Sequence, residues 1–440
     1  MARARLGGLL LLIACSAVPL LWGLALFRAS PSDFKGIYYG ARCLLQHGDP
    51  YQQGASLKVY LAEGGTPVIP SDPTLQILTR QVYLPTGFIL AAPFAILPWG
   101  PSHLIWMLLS QASLTFAAFL IWDLGTDSRS GFSLFLLCFL LANSEILFAS
   151  GNAAGMVVSL CVVAVWTFLR GRFVPAGIVC LALSLAIKPH DVGVVWLYFL
   201  LAGGVYRKRA LQTLVVTVPL CLPAILWVTH IAPHWMQELH SNLLVLEAPG
   251  NLNNPGPDSF TSHGPDMVID LQAAISVFRD DPRIYNPASY LVCGALLLVW
   301  SIATVKSHST PARTWLALAT AAAVTMLVTY HRPYDAKILL LTIPACAMLW
   351  TEGGPARWLA PLVSTLGIVF TSDFPLAILV MLTQNVHLFS DGLAGKLLTV
   401  ILIRPTPFIL LVVSIFYLWI YVQRTRADTK ATQVGVVLDS

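Results

Sequence analysis

Apolar residues fall in blocks of roughly 15 to 22 residues, separated by short polar stretches. At a rise of about 1.5 Å per residue, such a block spans the roughly 30 Å hydrocarbon core of a bilayer. The blocks lie near 6–27, 102–122, 131–149, 153–169, 173–187, 191–205, 210–229, 288–305, 312–330, 336–350, 357–385 and 404–422. They predict an all-α polytopic membrane protein with about twelve transmembrane helices, forming one integral membrane domain over 1–440. Asp373-Phe374-Pro375 interrupts the block at 357–385, which reads as one bent span or two pieces. A further block at 85–98 is bracketed by Pro85 and Pro98-Trp99-Gly100-Pro101. It is too short to cross comfortably and is expected to be a short or re-entrant helix.

Composition sharpens this picture. Of the 440 residues, 57% are hydrophobic and 11% charged, against about 25% charged in an average soluble domain. Seven of the eight cysteines lie inside apolar blocks and Cys43 alone in a predicted loop, which argues against a disulfide framework. The first block resembles a signal peptide, but its apolar run continues past Cys15 and many blocks follow, so it is read as an uncleaved first span. The net charge of +5 is modest and its basic residues cluster at block ends, a pattern of membrane orientation rather than nucleic-acid binding.

The basic clusters decide the topology. If 85–98 does not cross, Arg3 and Arg5, Arg129, Arg170 and Arg172, Arg207-Lys208-Arg209, Lys306, Arg313, Arg357, and Arg424 and Arg426 share one side. The positive-inside rule then makes that side cytoplasmic, with both termini and a tail at 423–440. Two longer loops, 28–84 and 231–286, face outward. The second carries Glu238, Glu247, Asp258, Asp266, Asp270, Asp280 and Asp281 against two arginines, and its Pro/Gly/Asn-rich middle at 249–265 is expected to be mobile. In the first, Phe34, Ile37, Tyr38, Ala41, Leu44 and Leu45 recur at helical spacing, with Lys35, Tyr39, Arg42 and Gln46 opposite. This predicts an amphipathic helix in the membrane interface, started by Ser32-Asp33 and ended by Gly48-Asp49-Pro50-Tyr51.

Candidate chemistry collects in the outer turns. Asp33 follows the first span, where a carboxylate is either a general base or a helix N-cap. Lys188 lies between two apolar blocks before Pro189, placed to hold an anion such as a phosphate or to snorkel to the interface. His331-Arg332-Pro333-Tyr334-Asp335 packs three ionisable groups and a phenol into one short turn. Arg332 suits a phosphate and His331 a hydroxyl or phosphate oxygen; a self-paired Arg–Asp cluster is the alternative. Asn152, after Gly151, is either a turn residue or a hydrogen-bonding partner for a sugar hydroxyl. The sequence shows no nucleotide-binding glycine loop, serine nucleophile motif or zinc spacing, and neither metal nor cofactor is expected. Arg404 has no evident place.

Several segments together resemble glycosyltransferase family 87, within the GT-C superfamily of membrane glycosyltransferases that use polyprenol-phosphate sugars. They are Asp33-Phe34 through Tyr38-Tyr39, Gly48-Asp49-Pro50-Tyr51, Tyr83-Leu84-Pro85, Pro93-Phe94, Leu97-Pro98, Gly151-Asn152, Ala186-Ile187-Lys188-Pro189, and Tyr330-His331 through Tyr334-Asp335. The resemblance implies an extracytoplasmic active site in the plasma membrane and a lipid-phosphate donor whose sugar is usually mannose. It implies a base in the first outer loop, which falls on Asp33. Lys188, His331, Arg332, Asp335, Asn152 and Tyr51 are then the expected substrate-binding residues. Family members often carry Gln after the Gly of the mid-chain turn, and Asn152 keeps the amide with a shorter reach. The leaving phosphate needs cations rather than a strong acid, and one displacement at the anomeric carbon inverts its configuration. The expected partners are a polyprenyl-phosphate sugar and a lipid or glycan acceptor. A transporter or lipid flippase is the competing class, though the candidate residues gather near one interface rather than at the midplane.

Overall fold

The structure is a computed structural model that describes residues 2–26, 33–68, 72–125, 130–259, 261, 264, 267–383 and 392–438. Ser32, Arg129 and Asp266 lie outside these residues, and so does the side chain of Arg3. Among the described residues every regular element is a helix. Among the described residues, six helices are long and apolar enough to cross a membrane: Arg5–Trp22, Trp99–Leu124, Gly204–Ile231, Pro282–Lys306, Pro311–Val328 and Pro405–Arg426. The pair Ala356–Val369 and Asp373–Thr383, bent by 72°, makes a seventh if it is one span. The chain is therefore a multi-pass membrane protein.

Burial differs sharply between these helices. In Pro311–Val328, 83% of the apolar window is covered, against 11% in Gly204–Ile231. Pro311–Val328 is thus a central strut, packed between Pro189–Leu201 and Pro405–Leu438. Gly204–Ile231 leaves Val215, Val218 and Leu226 uncovered, an apolar surface suited to lipid rather than water.

Several expected spans are shorter or broken in the structure. The block at 131–149 becomes Ser130–Ala142 and Glu145–Ser150, parted at Asn143-Ser144. The block at 336–350 opens as a 3-10 helix, Asp335–Leu341, before Thr342–Glu352. Six apolar helices are shorter than the usual crossing length, among them Ala154–Arg170, Val174–Ile187 and Pro189–Leu201. Pro85–Ala95 has 11 residues, about half the hydrocarbon core at 1.5 Å each.

The first-loop helix is present as Asp33–Leu45, but it does not lie with one face open. Its apolar side packs on Pro85–Ala95, and its polar side is covered by Ala55–Ala62. Tyr39 is buried against Tyr60, and Arg42 pairs with Glu63 at 2.6 Å and donates to the Ala95 carbonyl at 2.5 Å. In the sequence the polar stripe reads as solvent-facing because its partners lie later in the chain. The middle of the second loop also differs from its expectation. Arg404, buried, donates to the carbonyls of Pro255 (2.7 Å), Gly256 (2.8 Å) and Ala273 (3.2 Å). Arg332 donates to the Leu252 carbonyl at 2.8 Å. Two arginines distant in sequence thus pin the described part of 249–265, whose composition alone reads as loose.

Candidate active site

Backbone chemistry sets the position of each polar side chain. Pro189 excludes the helical conformation at Lys188 and starts the next helix, so the chain breaks at Lys188 between Val174–Ile187 and Pro189–Leu201. At Gly151 the backbone adopts φ +64°, ending Glu145–Ser150. A Cβ there would lie 2.8 Å from Cβ of Phe34, so only glycine allows this approach. The Gly151 carbonyl accepts from Nε1 of Trp106 at 2.7 Å, and the Phe34 ring stacks on Trp106 with centroids 4.4 Å apart. These contacts bring the start of Asp33–Leu45 against the mid-chain turn.

Asn152 then spans the two. Its Oδ1 accepts from the Ala154 amide at 2.9 Å, and its Nδ2 donates to Oδ2 of Asp33 at 2.7 Å. The same Oδ1 lies 3.4 Å from Nζ of Lys188. Lys188 donates to Asp335 and lies 3.3 Å from Oδ2 of Asp191. Burial opposes its charge, but the carboxylates of Asp191 and Asp335 outweigh burial and hold its pKa above the ordinary lysine value. Asp335 also closes its own turn, accepting from the Arg332 amide at 2.9 Å. Arg332 bonds the Tyr330 hydroxyl and lies over its ring. Burial raises the pKa of Tyr330 and of Tyr83, so both phenols stay neutral.

Asp33, Asn152, Lys188, Arg332, Tyr330 and Tyr334 line one cavity of about 1350 Å³. Its apolar wall includes Val18, Leu21 and Trp22 of the first span and Phe374 and Ala377 of the bent pair. The wall thus offers polar groups together with apolar side chains suited to a hydrocarbon chain.

Of the expected site residues, the structure gathers Asp33, Asn152, Lys188 and Arg332 on the cavity wall. His331 and Asp335 are fully buried and do not line it. Tyr51 is not among the residues that line the cavity: its hydroxyl donates to the Tyr83 carbonyl at 2.7 Å, and its ring is buried against Phe88 and Trp235. Sequence reading missed Asp191 and Tyr330, whose only signal was adjacency to the turns already singled out. It also missed Glu145 and Asp373, acidic residues that line the same cavity.

Comparison with curated proteins finds no match, and comparison with solved structures finds none either. One family model, described as glycosyltransferase family 87, matches residues 82–329. The matched stretch contains Gly151-Asn152 and Lys188 and stops one residue before Tyr330, while Asp33 precedes it. It covers more than half of the 440 residues, and the chain, a multi-pass membrane protein, belongs to glycosyltransferase family 87.

Proposed function

We propose that this glycosyltransferase moves a hexose, with mannose the expected sugar, from a polyprenyl-phosphate donor to a hydroxyl of a lipid or glycan acceptor. Transfer takes place on the extracytoplasmic face of the plasma membrane and inverts the anomeric carbon. The observation that carries this reading is the cavity itself: the carboxylate of Asp33 and the cations Lys188 and Arg332 share it with apolar side chains of the first span and the bent pair.

The roles follow from the chemistry. Asp33 takes the proton of the acceptor hydroxyl as that oxygen attacks the anomeric carbon. Asn152 holds the Asp33 carboxylate by one oxygen and leaves the other for the acceptor. The bond between sugar and phosphate breaks as the new bond forms, and the phosphate leaves as an anion near Lys188 and Arg332. The polyprenyl chain lies along Leu21, Trp22 and Phe374. The topology that goes with this reading counts the shorter apolar helices among about twelve crossings, in the manner of the GT-C superfamily. Loop 231–286 then faces outward and shapes acceptor choice.

The donor class is tested with purified protein given labelled polyprenyl-phosphate-mannose or a labelled nucleotide sugar, each with a panel of lipid and glycan acceptors. Transfer from the lipid donor alone is expected. Transfer from the nucleotide sugar without any lipid carrier overturns the reading.

A further inference from the structure

Behind Lys188, three side chains from two turns converge. One ligand atom each from His190, Asp191 and His331 lies within 4.8 Å of the other two. From Oδ1 of Asp191, Nε2 of His190 and Nε2 of His331 are 3.2 and 3.5 Å away. Charge-assisted hydrogen bonds are shorter, about 2.7–2.9 Å, and this oxygen takes no well-formed hydrogen bond. Ligands held about 2.0–2.1 Å from a tetrahedral zinc stand roughly 3.4 Å apart, close to the two distances from Asp191, while the set as a whole spans up to 4.8 Å and must draw in slightly around an ion.

The histidine at the centre is already set for a ligand. Nδ1 of His331 lies 2.6 Å from the Thr329 carbonyl, which places a proton on Nδ1 and turns Nε2 toward Asp191, where it can carry a second proton or bind an ion. His331 and Asp191 are fully buried. His190 is 38% exposed and lines the cavity, so the cluster is reachable from it.

We propose that His190, Asp191 and His331 form a site for a divalent transition metal of the zinc class, reachable from the cavity. Two imidazoles and one carboxylate select that class over magnesium or calcium. The Asp191 carboxylate bridges, with Oδ2 toward Lys188 and Oδ1 toward the metal. A role for the metal in holding the leaving phosphate rests on the donor proposed above; the site itself does not.

The test uses tag-free, purified full-length protein, stripped with a chelator and then exposed to Zn(II) alone. Metal content is read by mass spectrometry and the site by the visible absorption of substituted Co(II). About one equivalent is expected in the wild type, with affinity lowered at least 10-fold in His190→Ala and in His331→Ala. The half-exposed His190 makes the first variant the one that keeps its fold, and it decides the question if the second does not. No uptake by the wild type, or uptake by His190→Ala as tight as wild type, overturns the site. Because no donor is present, zinc uptake without sugar transfer rejects only the donor reading, and sugar transfer by protein that takes up no zinc rejects only the metal.

Discussion

Nδ2 of Asn152 donates to Oδ2 of Asp33 at 2.7 Å, joining residues 119 positions apart in the chain. This one hydrogen bond ties the first loop to the mid-chain turn and orients the carboxylate proposed as the base. The residues that hold the pair in place are therefore where a substitution should be felt.

Gly151 is the tightest of them. Alanine at this position meets Cβ of Phe34 at 2.8 Å and must adopt φ +64°. The left-handed backbone costs about 1–2 kcal/mol, and the overlap adds about 1–3 kcal/mol. Gly151→Ala is expected to lower the thermal midpoint and to impair transfer by displacing Asn152. A variant with unchanged midpoint and activity contradicts the role given to this contact.

Lys188 is held by two buried carboxylates, so its removal strands both. Lys188→Met should destabilise the protein by about 3–5 kcal/mol. Adding Asp335→Asn to it should recover part of that loss, because one of the stranded charges goes with it. Denaturation of the two single variants and the double variant measures the coupling, and strict additivity argues against the pairing.

Asp270 offers a pH signature. Burial raises its pKa from 3.8 to about 6 while Oδ1 caps the helix Leu271–Ser276. The folded state therefore holds this proton more tightly than the unfolded chain does. Its stabilising effect is complete below about pH 4 and is lost as pH rises through about 6. Asp270→Asn keeps the cap without the charge. It should be more stable than wild type above pH 6, by on the order of 3 kcal/mol, and equal to it near pH 4. Thermal scans across pH 4–8 check this, and a difference independent of pH contradicts it.

Sidedness is open to labelling. Asp258 and Lys208 are both exposed and belong, in the proposed topology, to opposite sides. Asp258→Cys in intact cells should react with an impermeant thiol reagent, and Lys208→Cys should react only after permeabilisation. Reversed labelling removes the outward placement of the cavity. Position 263, in the same loop as Asp258, lies outside the described residues.

The legibility of this protein from sequence follows physical range. Apolar block lengths report directly on a solvent about 30 Å thick, so the helical, multi-pass character is readable. Local turn chemistry is also readable, which is why Lys188-Pro189, Gly151-Asn152 and the 331–335 turn stand out. Partners distant in the chain are not. Nothing near Arg404 says that it caps the carbonyls of Pro255 and Gly256. Nothing near Tyr51 says that its hydroxyl is taken by the Tyr83 carbonyl. The contact between His331 and Asp191 likewise arises only when two turns meet. Span count is intermediate: block length suggests crossings, but breaks such as Asn143-Ser144 depend on what the neighbouring helices offer.

The function proposed for the cavity turns on Asp33 as the base of a lipid-linked sugar transfer. Asp33→Asn keeps an acceptor for Nδ2 of Asn152 and removes the proton acceptor for the hydroxyl. The deciding quantity is the rate of mannose transfer from labelled polyprenyl-phosphate-mannose by this variant, in protein shown to be folded by its thermal midpoint. A fall of roughly 10²–10⁴-fold in kcat is expected, with little change in stability. Transfer at the wild-type rate by the folded variant contradicts the assignment of Asp33.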